Sequence, residues 1–291
     1  QGIAPGVTVT TAGGAPGADS GNIQIRGIGS FGGSDCSPLV LIDGVEGDLN
    51  SVDASQIDQI SVLKDAASAA IYGSRAANGV ILITTKRADK GKCAVTYRGY
   101  VGWQSPVVYP DVVNAEEYMH LSHRASENDG AVSLYTDEYI ANYRRNNYLD
   151  PDAYPIIDWQ DQLMTGNGFT HNHTLSMSAG SERIRVMTSL GYLDQNGIIK
   201  NANFKRYNLR NNMDIRMNDR LNFRLDIAAT YSRRAANPYQ SSVFGFMNSK
   251  DPLMLAQWSD GSYAPFTGGT VNPLPMIEQG VGGNNIRQHL A

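Results

Sequence analysis

Ile57 to Lys86 reads IDQISVLKDAASAAIYGSRAANGVILITTK, a strand, a capped helix and an apolar strand in succession. Ile60 to Leu63 is the first strand. Asp65 is placed to accept the free N–H groups of a helix over Ala66 to Tyr72, which Gly73 ends. Asn78 and Gly79 suit positive φ. Val80 to Thr85 is rich in β-branched residues and too apolar to leave either face in water. The expectation is a compact, buried βαβ-like core that acts as scaffold and carries no catalytic chemistry.

Three upstream runs extend that core: Pro5-Gly6-Val7, Ile23-Gln24-Ile25-Arg26-Gly27-Ile28-Gly29-Ser30, and Ser37-Pro38-Leu39-Val40-Leu41-Ile42-Asp43-Gly44-Val45. With IYGSRAANGVILITTK at Ile71 to Lys86, they resemble the plug domain of TonB-dependent outer-membrane transporters, in wording that is similar to the SusC/RagA branch. The plug signature within the match is Asp65, Tyr72, Gly73, Ser74, Arg75, Asn78 and Gly79.

Composition agrees with a chain built mainly of strands. Of 291 residues, 41% are hydrophobic and only 18% charged, and 30 glycines and 15 tyrosines make an all-helical protein a poor expectation. The net charge of −4, with no long basic block, leaves no footprint for counterion release, so nucleic acid is excluded as a partner. No run approaches the ~18 apolar residues of a spanning helix, so any membrane crossing has to use strands. The chain opens at Gln1 without a secretory segment and is read as part of a longer polypeptide. Cys36 and Cys93 either pair or remain two thiols, since two cysteines define no framework.

Residues 1–88 form the predicted plug domain, and 89–291 the N-terminal part of a transmembrane β-barrel. The polar hinge Ala88-Asp89-Lys90-Gly91-Lys92 separates them, and after it the period becomes two. In the first strand Val95, Tyr97, Val101 and Trp103 oppose Thr96, Arg98, Tyr100 and Gln104. Two more strands carry Leu175, Met177 and Ala179, then Ile184, Val186, Leu190 and Tyr192, on their apolar sides. In the next, Tyr207, Leu209, Met213, Ile215 and Met217 oppose Arg206, Asn208, Arg210, Asn212, Asp214 and Arg216. In the last, Leu221, Phe223, Leu225, Ile227 and Tyr231 oppose Arg220, Arg224 and Asp226.

Strand length and the alternation of tight turns at Ser181-Glu182 and Asn218-Asp219 with long connections describe five of the about 22 strands of such a barrel. Trp103, Tyr192, Tyr207 and Tyr231 are expected at one interfacial level. The first long loop carries a predicted helix from Asn114, with Glu117 completing a capping box, and a second turn after Asp158. The region from Ala235 onward is read as one long loop.

Other chemistry is weakly signalled. Ile25 to Gly33 is glycine-rich but lacks the Gly-Lys-Ser/Thr ending of a phosphate loop. His120 with His123, and His171 with His173, could each supply two metal ligands but have no obvious third, so they are read as solvated loop or barrel-lumen residues. Asp43, Glu46 and Asp48 fail the calcium-loop template and are read as a polar turn. No nucleophile elbow or catalytic cysteine context is present, and no cofactor is expected.

The resemblance implies active import across a bacterial outer membrane, with the plug as gate inside the barrel. It implies TonB as a partner, acting through a segment upstream of Gln1, a SusD-like surface lipoprotein above, and an oligosaccharide or peptide as cargo. Phe31, Gly32, Gly33, Ser34 and Asp35 form a candidate ligand-facing plug loop. Arg185, Arg206, Arg210, Asp214, Arg216, Arg224 and Asp226 are expected on the lumen-facing wall; Arg75 is singled out because plug stability depends on polar contacts with such a wall, and no particular acidic partner is assigned to it. The alternative is a plug-like periplasmic interaction or signalling module without transport.

Overall fold

The computed structural model describes residues 7–11, 13–18, 21–25, 37–65, 70–108, 110–236, 239–265, 271–279 and 284–290. Two sheets dominate it. The smaller holds β3 (Leu39–Ile42), β4 (Val45–Glu46), β5 (Ile57–Leu63) and β6 (Val80–Thr85) in the order β4-β3-β6-β5. A separate pair, β1 (Val7–Thr11) and β2 (Gly21–Ile25), lies beside it. As its composition predicts, β6 is buried on both sides. Ile81 and Ile83 pack with Ile25, Ile42 and Val52, and Val80 packs with Leu39, Leu41 and Ala76 on the opposite face.

The βαβ expectation is corrected in one respect, because β5 runs antiparallel to β6 and the parallel neighbour of β6 is β3. The link from Leu63 to Val80 therefore reverses the chain instead of crossing over the sheet. Within it, Ala70–Ala76 is a 3-10 segment kinked at Gly73, where φ is +70°. The expected helix start, residues 66–69, lies outside the described residues. Gly79 has φ +93°, and a Cβ there would meet the Leu63 carbonyl at 3.2 Å, so glycine is required. Asn78 does not take positive φ. That conformation falls instead on Asp43 (φ 50°) and Gly44 (φ 92°), the Asp-Gly pair that turns β3 into β4.

The larger sheet is a continuous antiparallel meander: β7 (Cys93–Gln104), β8 (Gly168–Gly180), β9 (Ile184–Asn196), β10 (Asn203–Arg216), β11 (Asn222–Ala235) and β12 (Asn284–Leu290). Among the described residues it has six strands, one more than the alternation revealed. β12 pairs with the outer half of β11, so the region after Ala235 is a loop that returns to the sheet. Among the described residues β7 and β12 are open edges. Each side chain set keeps the face that its parity assigned. One face meets the small sheet, and the other exposes Val95, Tyr97, Leu190, Leu209, Phe223 and Tyr231.

Tyr192, Tyr207 and Tyr231 stand in one cross-strand row, with ring centroids 4.9 and 6.2 Å apart. Trp103 is not in that row. It pairs with Phe169, four positions beyond Gly99 on β7, the residue opposite His173 in the tyrosine row.

The connections 105–167, 197–202 and 236–283 leave the same end of the meander and share one hydrophobic core. Helices α1 (Ala115–Asn128) and α2 (Asp137–Leu149) pack around Met119, Ile140 and Tyr143. Helices α3 (Trp159–Leu163), α4 (Gln240–Ser249) and α5 (Pro273–Glu278) bury Trp159, Leu163, Val243, Met247, Leu274 and Ile277 together with Ile199. The capping box at Asn114 and Glu117 forms, as does the Asp158 cap. Asn201 ties the short 197–202 loop to α5 by donating to the carbonyls of Ile277 and Glu278.

Candidate functional site: the polar seam between plug and wall

The small sheet and its turns rest on one face of the meander through charged and polar contacts. Asp43, held by the φ-positive turn, accepts from the Thr85 amide (2.9 Å) and hydroxyl (2.6 Å) and from Arg210 Nη1 (2.8 Å). Asn212 donates to Thr85 Oγ1 (2.7 Å) and to the Lys86 carbonyl (3.0 Å). The end of β6 is thereby laid against β10. Further along, Gln56 donates to Ser189 Oγ at 2.9 Å, and Asn172 to Asp53 at 3.1 Å. At the far end Gly17 N donates to Gln195, and Gly17 lies so close to the Phe204 ring that a Cβ would overlap it.

Arg87 is the centre of the seam. Its guanidinium spans two wall strands, donating to Asp214 at 3.1 Å and to Asp226 at 2.6 Å. Asp214 also receives Arg185 at 3.3 Å and Arg224 at 3.1 Å. Burial alone would lower the basicity of Arg87, but the hydrogen bond and charge of Asp226, with the charges of Asp214 and Asp43, outweigh it and hold the group above its ordinary value. Arg87 therefore stays charged at every pH at which a protein folds.

The predicted wall residues all lie on the plug-side face. Arg210, Asp214 and Asp226 touch the plug directly, Arg206 acts on Asp53 through its charge, Arg185 and Arg224 support Asp214, and Arg216 turns away to Asp219 in the tight turn. Arg75 pairs with Glu46 inside the plug, and both side chains are more than half exposed. Tyr72 packs against the Leu39 cluster. Phe31 to Asp35 lie outside the described residues, as does Cys36; Cys93 is exposed at the start of β7.

His171 and His173 are a correction, because they face away from the plug. They share the parity of Leu175 and Met177, which was already visible in the sequence. His123 sits on α1 with its imidazole 3.7 Å from Glu127.

Sequence reasoning missed Arg87, Asp43, Asp53 and Gln56 as seam residues. Asp43-Gly44 carried a hairpin signal; the others carried none, because an isolated polar residue near a strand end has no period.

Burial pushes the Asp53 carboxyl up, but hydrogen bonds from Ser55 and Asn172 and the charge of Arg206 more than offset it, so it sits below the ordinary carboxylate range. A lowered folded value means that its stabilisation is complete above the unfolded value and is lost as pH falls through the folded one. Plug docking is expected to be constant near neutrality and to weaken below about pH 4. Thermal melts of the full-length protein across pH check this; an Asp53→Asn variant with an unchanged acid limb would refute the assignment.

Residues 1–80 match the TonB-dependent Receptor Plug Domain. The chain is 34% identical over 275 residues to TonB-dependent receptor P26 of Formosa agariphila, covering 91% of this chain and 26% of that protein. It is 36% identical over 213 residues to TonB-dependent receptor SusC of Bacteroides thetaiotaomicron, covering 69% and 19%. The solved structure of the RagAB peptide transporter superposes with a TM-score of 0.69 at 27% identity, over 82% of this chain and 29% of that one. The chain belongs to the SusC/RagA family of TonB-dependent receptors. It spans about a quarter of the length of P26 and of TonB-dependent receptor P39, both of Formosa agariphila. The small sheet is thus the plug of this SusC/RagA-type receptor, and the meander matches the start of the barrel wall.

Proposed function

We propose that this chain supplies the plug and the first wall strands of an active importer in a bacterial outer membrane, with 1–88 as the gate and 89–291 as wall and outer loops. The cargo is an oligosaccharide, with a peptide as the alternative. The observation that carries the reading is the seam. A plug seated on its wall by discrete ion pairs and amide bonds, with no buried hydrophobic cluster spanning the two among the described residues, is a body that force can detach and that returns to one position.

In this reading cargo is captured on the side of the long loops, under a SusD-like surface lipoprotein, where Phe31 to Asp35 meet it. TonB, engaged through a segment upstream of Gln1, pulls the plug away from Arg210, Asp214 and Asp226. The exposed apolar face with its tyrosine row is the lipid side. Relatives named as TonB-dependent receptors, one of them SusC, support the transport class. The resemblance of Ile71 to Lys86 to the SusC/RagA branch supports a glycan, and the RagAB title supports the peptide alternative.

The test is deletion of the full-length gene followed by growth on defined glycans and peptides. Loss of growth on one class, with uptake that stops when TonB is removed, is the expected result. Uptake that persists without TonB would sink the gating mechanism, and unchanged growth on every glycan and peptide would sink the import reading.

A further inference from the structure

We propose that the tight-turn end of the seam holds a phosphate group in a hollow that the plug's own linker completes, so that the bound anion keeps the plug seated. The inference rests on the reading of the seam as the plug's seat and adds a regulator to it.

The hollow, of about 640 Å³, lies where β9, β10 and β11 meet the linker. Two cross-strand rows on the plug-side face build it. In the first, Asp214 stands between Arg185 of β9 and Arg224 of β11. In the second, Arg216 stands opposite Asn222, and its amide donates to the Arg183 carbonyl at 2.7 Å, which brings two like charges alongside each other. The linker is pinned beside these rows: the Gly91 amide donates to the Gly180 carbonyl at 3.0 Å, and the Gly180 amide to the Lys92 carbonyl at 2.9 Å. Lys90 is thereby held at the rim of the hollow.

The charges lining it do not cancel, in a chain whose net charge is −4. Lys90 and the four arginines face three carboxylates, Glu182, Asp214 and Asp219. Asp214 is divided three ways, with Arg87 and Arg224 on one oxygen at 3.1 Å each and Arg185 on the other at 3.3 Å. Asp219 takes Arg216, and Glu182 reaches Lys90 only at 3.9 Å. Arg183 makes no ion pair among the described residues. Guanidinium groups gathered around one opening suit a compact, multiply charged oxyanion, to which each can offer parallel N–H donors. A phosphate meets Arg183 and Arg216, and reaches Arg185 and Arg224, whose side chains are still 38% and 66% exposed beside Asp214. Because Lys90 belongs to the linker, the full set of cations exists only while the linker lies against the wall. An anion that prefers that state draws the plug towards its seat.

The experiment is calorimetric titration of the delipidated full-length protein with inorganic phosphate, against chloride at equal ionic strength. Binding is expected, weakened about tenfold or more in an Arg183→Gln/Arg216→Gln double variant, and by a smaller factor in Lys90→Gln. Arg144→Gln, which changes an exposed cation on α2, should bind as the parent does. Saturating phosphate should raise the melting transition of the plug in the parent and leave it in place in the double variant. Circular dichroism confirms that the double variant is folded. Repeating the titration in phosphatidylcholine nanodiscs that contain phosphatidylglycerol names the source: binding abolished by the anionic lipid assigns the site to a headgroup, and undiminished binding assigns it to free phosphate.

Absence of phosphate binding by the parent, equal binding by the double variant or by Lys90→Gln, an unmoved plug transition at saturation, or a copurifying acidic polypeptide that blocks the titration would each overturn the proposal. A plug transition that stays in place in Arg87→Ala would instead overturn the seat on which it rests.

Discussion

Arg87→Ala in the full-length protein is expected to loosen the plug from its wall by about 3 kcal/mol. That is the low end of the cost of removing one partner from a buried ion pair, because roughly a fifth of the Arg87, Asp214 and Asp226 side chains still meets solvent. The loss does not come mainly from two missing hydrogen bonds. It comes from leaving Asp226 without the cation bonded to it, with only the charge of Arg210 nearby, on a face where the plug excludes most water, while Asp214 retains Arg185 and Arg224. A double substitution, Arg87→Met with Asp226→Leu, should therefore be milder than Arg87→Ala alone. The measurement is the plug-sensitive melting transition, together with the rate at which an endoproteinase cleaving after lysine nicks the linker at Lys86, Lys90 and Lys92. Arg75→Ala is the control: its exposed pair with Glu46 is worth about 0–1 kcal/mol, and its loss should leave both readouts nearly unchanged. If Arg75→Ala and Arg87→Ala behave alike, the seam does not hold the plug.

Gly180→Ala is expected to have the second large effect, about 2–4 kcal/mol, by forcing the linker off the end of β8. A Cβ at this position would overlap the Asp89 carbonyl oxygen and stand 2.9 Å from its carbon, both backbone atoms that cannot rotate aside. The glycine is also bonded to the linker in both directions. Its amide donates to the Lys92 carbonyl at 2.9 Å, and its carbonyl accepts from the Gly91 amide at 3.0 Å. The hinge inferred from Ala88 to Lys92 is thus a fastened link, which fixes where Arg87 meets the wall. Gly102→Ala, at an open position on β7, should change stability by no more than about 0.5 kcal/mol. Faster proteolysis between Lys86 and Lys92 in Gly180→Ala, and none in Gly102→Ala, is the outcome that supports this account; equal rates in the two would count against it.

How much of this was readable beforehand follows from the range over which each feature is encoded. The face of every wall residue from Val95 to Tyr231 was legible because strand parity is local: neighbours two apart share a side whatever the chain does elsewhere. The same rule placed His171 and His173 with Leu175, although an imidazole suggested a wet environment. The caps at Asn114 and Asp158 were legible for the same reason, since a cap and its amides lie within three residues. β12 was hidden because seven residues after a long irregular stretch show too little alternation. The shared core of the three connections was hidden because Trp159 comes from one, Ile199 from the second, and Val243 and Leu274 from the third, and no single stretch shows them as one face.

What the amino-acid sequence determined by itself is the set of local choices: the doubly buried strand Val80 to Thr85, the two-faced strands after Cys93, and the family wording of Ile71 to Lys86. Tertiary structure alone decided which charges meet. Arg87 reaches Asp214 and Asp226 across 127 and 139 positions of chain, whereas Arg75, the more prominent arginine in the motif, stays with Glu46 inside the plug. The physical reason is that parity states which way a side chain points, but the partner at its tip is set by how two separate sheets are docked.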